Sequence, residues 1–386
     1  MTKAKKSLRD FRRAADRRLF LESELKIKLR AVASFNFAEN TVAGANIENL
    51  VGATQTPLAV AGPLSIRYPA KIQEMYIPLA TTEGALVASI SRGAKAVTEA
   101  GGAIVAYNSV GITRGPVFRT KNITHSSGAV SLIQKNFAKL QKVARTTSAH
   151  LTLTKIDTAY VGKNLYCRFY FDTADAMGMN MATFATEEIA KSIEKLTGAV
   201  LVSLAGNFDI DKKPAWLNFI NGRGKQVWAE ITISPKIVRE VLKTTPQKIV
   251  QIVHTKQHLG SILSGSLGFN AHFANVIAAI FLATGQDIAH VVEGSLGITE
   301  AEVEPNGNLY FSVYLPSLII GTVGGGTGLP TQKGALDIMG IKAQGGAEKF
   351  AQIIAAAVLA GELSLTASLA EGSLAAAHKK LARKPR

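Results

Sequence analysis

The sequence predicts an α+β protein in which a small α+β unit interrupts a larger, mostly helical one. Three observations carry this reading. From Gly115 to Ala205, strand-like runs alternate with helix-like runs, as in a mixed unit. After Ala205, helix-like runs dominate. A chain of 386 residues exceeds one simple compact unit, yet it shows neither an internal repeat nor a low-complexity linker. The small unit is therefore read as an insertion, not as a bead on a string.

Residues 1–45 are read as an N-terminal helical segment, residues 46–114 and 206–386 as the large unit, and residues 115–205 as the small one. Ser7 to about Ala33 is expected to be helix, with Leu19, Leu21, Leu25 and Leu29 as a partial apolar stripe. Asn46 to Pro63 shifts to glycine, proline and short apolar pieces. Thr81-Thr-Glu-Gly84 opens a small-residue stretch, Ala85 to Ala100, which is expected to be a buried helix. Inside the insertion, strands are expected at Leu151–Thr154, Leu165–Phe171 and Ala199–Leu204, and helices at Ser131–Arg145 and Thr183–Leu196. Beyond it, helices are expected at Pro235–Lys243, Ala271–Thr284 and from Ala347 to the C-terminus.

Composition narrows the function classes. The net charge of +16 fits either solubility or attraction to polyanions such as nucleic acid, anionic lipid or phosphate-rich small molecules. Part of the excess lies in Lys3–Arg18 and Lys379–Arg386, where solvated tails are the ordinary explanation. One cysteine, Cys167, excludes an internal disulfide and a cysteine-based zinc site, and fits a reducing cytoplasm. The longest apolar runs, Val276–Ala283 and Ile353–Ala360, are too short to span a bilayer, and the basic N-terminus lacks an apolar signal core. A cytoplasmic protein with no membrane segment and no metal site is expected.

Several short motifs combine chemistry with unusual composition. Gly321-Thr-Val-Gly-Gly-Gly-Thr-Gly328 allows backbone N–H groups to approach phosphate, although a tight turn explains it as well, and it lacks the Rossmann glycine spacing. Asp175-Ala-Met-Gly-Met-Asn-Met181 holds three of the chain's six methionines. A core-packing loop is its ordinary reading; a capped helix start that orients a ligand is the sharper one. Asp211-Lys-Lys-Pro214 is either a surface charge cluster or an electrophilic site in which lysine meets a developing oxyanion. Glu83 suits the first turn of a helix, Asp287 a loop or cap, and His378 a helix face shared with Leu374 and Leu381.

Together these motifs resemble the HMG-CoA (3-hydroxy-3-methylglutaryl-CoA) reductase family from about Ile47 to His378. Colinear matches include Glu48-Asn-Leu-Val-Gly52, Ala61-Gly-Pro-Leu64, Thr81–Gly84, Thr113-Arg-Gly-Pro116, the methionine motif and Asp211–Pro214. They continue through Gly222-Arg-Gly-Lys225, Val238–Thr245, Asn270-Ala-His272, Gly285-Gln-Asp287, Gly321–Thr327 and Ala360-Gly-Glu-Leu-Ser-Leu365. The Asp-Lys-Lys-Pro form resembles the class shared by eukaryotes and archaea.

The resemblance implies reduction of HMG-CoA to mevalonate and free CoA with two hydrides, from NADPH as the cofactor. It implies a large substrate-binding domain and an inserted, ferredoxin-like NADP-binding domain. By position, Glu83, Lys212, Asp287 and His378 match the four catalytic residues. Lys212 would stabilise the carbonyl oxygen, Glu83 would supply a proton, Asp287 would sit between them, and His378 would protonate the CoA thiolate. Ser89, Arg114, Lys213, Lys256 and Asn275 match positions that hold the HMG portion, and Arg92, Lys243 and His272 positions near CoA. Asp175, Met177, Gly178, Met179, Asn180, Val323, Gly324 and Gly325 match the nicotinamide-cofactor site. A homodimer or larger assembly with the active site between subunits is also implied.

The departures are Ala205 and Ala377 at positions where serine is common, Ser91 in place of an asparagine, and Asn136 in place of an arginine that meets the 2′-phosphate. Lys135 and Lys139 flank that last position. A reductase for another acyl-CoA is the nearest alternative reading. A polyanion-binding module, motivated by the net charge, is the alternative from another class.

Overall fold

The computed structural model describes residues 7–44 and 46–372. The N-terminal segment is not one helix. A short 3-10 turn, Leu8–Asp10, precedes an α-helix, Ala14–Leu25, which ends at Lys26 in the left-handed region, φ 56°. The leucine stripe was too sparse to carry a helix to Ala33; Leu19 and Leu25 are exposed. The buried Arg17 instead ties the segment down, donating to the carbonyls of Leu8, Phe11 and Leu50.

The large part of the chain holds more strand than its sequence predicts. β1 (Leu58–Tyr68) and β2 (Lys71–Ala80) form an antiparallel hairpin. β3 (Ala103–Arg114) pairs parallel with β1 at its start, Ile66 opposite Ala103. The small unit contributes β4 (Val117–Arg119), β5 (Thr152–Val161), β6 (Asn164–Asp172) and β7 (Val200–Ser203). Then come β8 (Gly224–Ile233), β9 (Gly268–Phe269), β10 (Gly297–Val303) and β11 (Leu309–Leu318), in a region the sequence reads as helical. The main order is β2-β1-β3-β8-β11-β10-β9. In β8 the side chains of Lys225, Val227, Ala229, Ile231 and Ile233 point inward and alternate with less buried neighbours, as in a sheet with one covered face.

The small unit has the order β7-β4-β6-β5, all antiparallel, with helices after β4 and β6. That connectivity is the ferredoxin-like, split βαβ pattern. Its first helical region breaks in two at Asn136, giving Ile123–Lys135 and Phe137–Thr147; Met179–Thr197 follows β6. The two sheets are joined by β3, which pairs with β8 up to Gly111 and then with β6 from Ile112 to Arg114. Gly111 sits at the transfer point with φ 94°, where a Cβ would lie 2.7 Å from the Phe171 carbonyl oxygen. The Gly206 N–H donates to the Gly115 carbonyl at 2.6 Å, so the intervening segment leaves and returns at one point.

The main core gathers the inner faces of β1, β2, β8, β10 and β11 with the helices Leu86–Glu99, Phe273–Thr284 and Ala347–Glu371. By length and composition the Ala347–Glu371 helix could cross a membrane, which the shorter apolar run read from the sequence did not reveal. Its apolar window is 78% buried inside the fold, as a central core helix requires. Small residues let its neighbours approach closely: a Cβ on Gly93 of the Leu86–Glu99 helix would overlap the Ala360 carbonyl.

Candidate active site

Lys212 lies in the loop between β7 and the short helix Trp216–Asn221, in the left-handed region with φ 57°. Its backbone N–H donates to Glu293 Oε1 at 2.6 Å. Its ammonium Nζ meets Asp287 Oδ2 at 2.7 Å. Asp287 follows the helix Phe273–Thr284, which ends at Gly285, and it caps the next turn by accepting the Ala289 N–H at 3.1 Å. Partial burial pushes the Asp287 carboxyl up. The Lys212 hydrogen bond, the Ala289 N–H and the nearby charges outweigh it and hold the group below the ordinary value of 3.8.

Glu83 precedes the helix Leu86–Glu99. Both of its carboxylate oxygens accept from Asn275 Nδ2 at 3.0 Å, and its own N–H is received by Thr81 Oγ1. Glu83 and Asn275 line a cavity of about 950 Å³ together with Ser89, Arg92, Lys256 and His272. Six of the expected residues thus face one space. A second cavity, of about 590 Å³, shares Glu83 and Asn275 and reaches Ile288, next to Asp287. Among the contacts of the described residues, Asp287 meets Lys212, and Glu83 meets Asn275. The bridging of Lys212 to Glu83 by Asp287 is not among them.

The cavity wall is held from the core. Arg92 donates to Ser364 Oγ at 3.1 Å, to the Ser364 carbonyl at 2.6 Å, and to Ser368 Oγ. Burial pushes the Arg92 guanidinium below its ordinary value. Ser89 donates to the same Ser364 hydroxyl at 3.0 Å. The fully buried Glu362 accepts the backbone N–H groups of Ala271 and His272 at 2.8 and 2.6 Å and the Thr299 hydroxyl at 2.7 Å, which fixes the turn that carries His272.

Other expected residues lie elsewhere or are engaged within the fold. Arg114 pairs with Asp209 at 3.3 Å and donates to Thr183 at 3.1 Å. Lys213 donates to the Asp211 carbonyl at 3.1 Å, and Lys243 is an exposed residue between two short helices. His378 and Ala377 lie outside the described residues.

The methionine motif and the glycine-rich loop come together. Ala176 bridges Val323 in parallel, and the Thr322 N–H donates to the Asp175 carbonyl at 2.8 Å. Met177, Met179 and Met181 pack against the small unit's core. Gly178, φ 89°, starts the helix Met179–Thr197 without a side-chain cap, and Asn180 beside it is exposed. Gly324 and Gly325 have φ 77° and 56°. The Asp175 carboxylate does not cap the Met179–Thr197 helix. It accepts the N–H groups of Gly345 at 2.7 Å and Ala347 at 3.1 Å, at the start of the long core helix. Asn136 stands at the break between two helices and donates to the Leu132 carbonyl at 2.9 Å, with Lys135 and Lys139 exposed on either side.

Sequence reading did not single out Arg223, His290, Glu293 or Glu362, all fully buried. Arg223 and Glu362 fall within stretches noted above for other reasons. A charged residue amid apolar ones, as in Val291-Val-Glu293, was the available signal.

A family model described as hydroxymethylglutaryl-coenzyme A reductase matches residues 13–383. The 3-hydroxy-3-methylglutaryl-coenzyme A reductase of Methanocaldococcus jannaschii is 50% identical over 373 residues, covering 95% of this chain and 92% of its own. That of Pyrococcus horikoshii is 50% identical over 374 residues, covering 95% and 91%. Reductase 1 of Dictyostelium discoideum is 42% identical over 383 residues, covering 96% of this chain and 69% of its own. A class II reductase from Streptococcus pneumoniae, solved bound to NADPH in open conformations, superposes with a TM-score of 0.69 over 93% of this chain and 97% of its own. At 19% identity that last likeness concerns the fold alone. With a family model spanning nearly the whole chain and relatives at half identity, the chain belongs to the hydroxymethylglutaryl-coenzyme A reductase family.

Proposed function

We propose that the chain reduces HMG-CoA to mevalonate and free CoA with NADPH, the reaction its relatives are named for. The observation that carries this reading is the Lys212–Asp287 ion pair at 2.7 Å, next to Ile288 at the wall of the second cavity that Glu83 and Asn275 also line. Reduction of a thioester places negative charge on the carbonyl oxygen. Lys212, held by Glu293 through its backbone N–H and by Asp287 through its ammonium, offers a positive charge for that oxygen. Glu83 supplies a proton to it, oriented by Asn275. His378 protonates the departing CoA thiolate, a role that rests on the sequence motif. Ser89, Asn275 and Lys256 meet the HMG portion, joined by Arg114 and Lys213. Arg92, Lys243 and His272 take the CoA side.

The residues fit a dinucleotide phosphate. The Gly324–Gly325 turn adopts left-handed backbone with open space above both α-carbons, and the uncapped helix start at Gly178 lies across the Ala176–Val323 bridge from it. Asp175, Met177, Met179, Asn180 and Val323 complete that site. When bound, NADPH supplies the hydrides. Lys135 and Lys139 meet its 2′-phosphate in place of the arginine that Asn136 replaces. The small unit, residues 115–205, is the cofactor domain; residues 46–114 and 206–386 form the substrate domain. The active site is completed between two copies of the chain in a homodimer or larger assembly. The single, fully buried Cys167 accords with a cytoplasmic location.

The test is absorbance loss of NADPH on addition of HMG-CoA, with mevalonate and free thiol measured as products. Absence of both products with a folded protein overturns the reading.

A further inference from the structure

Behind Lys212 lies a buried cluster that the mechanism above leaves without a role. Arg223 donates to Glu293 Oε1 at 2.7 Å and to Asp211 Oδ1 at 3.0 Å. His290, fully buried, has Nδ1 at 3.4 Å from Glu293 Oε2. Its Nε2 has no hydrogen-bond partner and faces two carboxylates, Asp287 Oδ2 at 3.8 Å and Asp211 Oδ1 at 4.0 Å.

Carboxylates surround the imidazole. Asp211, Asp287 and Glu293 all lie within 4.0 Å of its ring nitrogens, while the cations Lys212 and Arg223 pair with those carboxylates and the buried Arg168 stands beyond Arg223. Asp211, Lys212 and Asp287 remain partly exposed, but His290 and Glu293 are fully buried, and there an unmatched lone pair is costly. An Nε2 lone pair directed at two carboxylates would be repelled, whereas an Nε2 proton is attracted by both. A doubly protonated imidazole directs a proton at each carboxylate neighbour, Nδ1–H at Glu293 and Nε2–H at Asp287 and Asp211. Asp211, His290 and Glu293 also have the spacing of a metal site. Arg223 already occupies Asp211 and Glu293, so a divalent cation would have to displace a buried guanidinium.

We propose that His290 is a positioning residue for the reacting pair: its imidazolium holds the Asp287 carboxylate in place from behind, and so fixes Lys212 where charge develops. Lys212 is gripped twice, by Asp287 through its ammonium and by Glu293 through its backbone N–H, and His290 contacts both carboxylates. This rests on the reading of Lys212 and Asp287 as catalytic residues given above. Because His290 acts through Asp287 and lies outside the lining of the substrate cavity, its loss affects turnover more than substrate affinity.

The experiment has two arms. In the first, His290→Gln and His290→Asn are compared with wild type for kcat and KM, with Lys212→Ala alongside. The expected result is a kcat about ten-fold or more below wild type with KM within about two-fold. In the second, wild-type protein labelled with ¹⁵N-histidine is observed at neutral pH. The His290 ring, identified by its disappearance in either variant, is expected to carry protons on both nitrogens. An unprotonated ring nitrogen overturns the proposal. So does unchanged kcat in both variants, or a parallel loss of kcat, KM and melting temperature, which marks a packing role only. If both variants fail to fold, the ring is identified instead by the signals that move in Asp287→Asn, whose carboxylate lies 3.8 Å from Nε2, and its protonation is read in the wild-type spectrum. Activity retained by Lys212→Ala would instead overturn the active-site reading; an inactive Lys212→Ala with an unaffected His290→Gln would reject the role of His290 alone.

Discussion

Asp175 offers a decisive perturbation, because the family resemblance assigns it to the cofactor while its carboxylate caps a helix. In Asp175→Ala, the N–H groups of Gly345 and Ala347 lose their acceptor at the start of the Ala347–Glu371 helix. Loss of a helix cap costs about 0.5–2 kcal/mol, and loss of a negative charge at that terminus about 0.3–1 kcal/mol more. Unfolding entropy of about 2.1 cal/mol/K per residue gives roughly 0.8 kcal/mol/K for 386 residues. The expected fall in Tm is therefore about 1–4 °C, measured by thermal melting without ligands. Asp175→Asn keeps one acceptor and should recover part of the loss. NADPH affinity, titrated by fluorescence, should weaken only modestly, since the Ala176–Val323 bridge and the glycine turn remain. An unchanged Tm together with abolished NADPH binding would refute the capping argument and leave Asp175 as a cofactor ligand.

Lys212→Ala should abolish turnover while leaving the melting temperature and CoA affinity near wild type; retention of more than about a tenth of activity, roughly 1.4 kcal/mol in the barrier, contradicts the charge role. NADPH should be preferred over NADH, and the double alanine variant at Lys135 and Lys139 should raise its KM; equal specificity constants for the two cofactors would remove the phosphate contact assigned to these lysines. The depressed Asp287 carboxyl contributes stability that is present above the ordinary value of 3.8 and is lost as pH falls through its lower folded value. The stability gap between wild type and Asp287→Asn should therefore close in strong acid, and a gap independent of pH would contradict the ion pair. Gly93→Ala should cost about 1–3 kcal/mol or more by forcing two helix backbones apart, and should raise the KM for the CoA substrate because Ser89 and Arg92 ride on the displaced helix.

The insertion was legible because its strands and helices alternate within a short span, and strands near Leu165–Phe171 and Ala199–Leu204 emerged close to their expected places. The strands of the large unit were harder. β2 reads Lys-Ile-Gln-Glu-Met-Tyr-Ile-Pro-Leu-Ala, with alternation at one end and a continuous buried run at the other. β8 does alternate, but Gly224 and Trp228 disguise it among charged neighbours. Glu83, Lys212 and Asp287 were visible through their motifs, and the cavity gathers Glu83 with Ser89, Arg92, Lys256, His272 and Asn275. The supporting charges were not. Arg223, His290 and Glu293 are joined by burial and mutual contact, which depend on the residue just before β8 meeting the turns after the Phe273–Thr284 helix. No local periodicity encodes that meeting. At Asp175 the expected cap of the following helix is not formed: a residue four places before one helix caps another 172 residues away.

The Ala347–Glu371 helix sets a condition on biosynthesis. It fills the centre of the main core, and nearly every side of it is covered. On the ribosome, the strands and helices made earlier must wait, with a trough of apolar surface open, until residue 371 has cleared the exit tunnel. Nascent chains that stop short expose that trough to other unfinished chains, and such chains are prone to aggregate. The helix itself carries a mean hydropathy of 1.8 in its most apolar window, so the unfinished protein and its missing piece are each poorly soluble. Efficient production therefore depends on rapid completion of the chain or on a chaperone that shields the trough meanwhile.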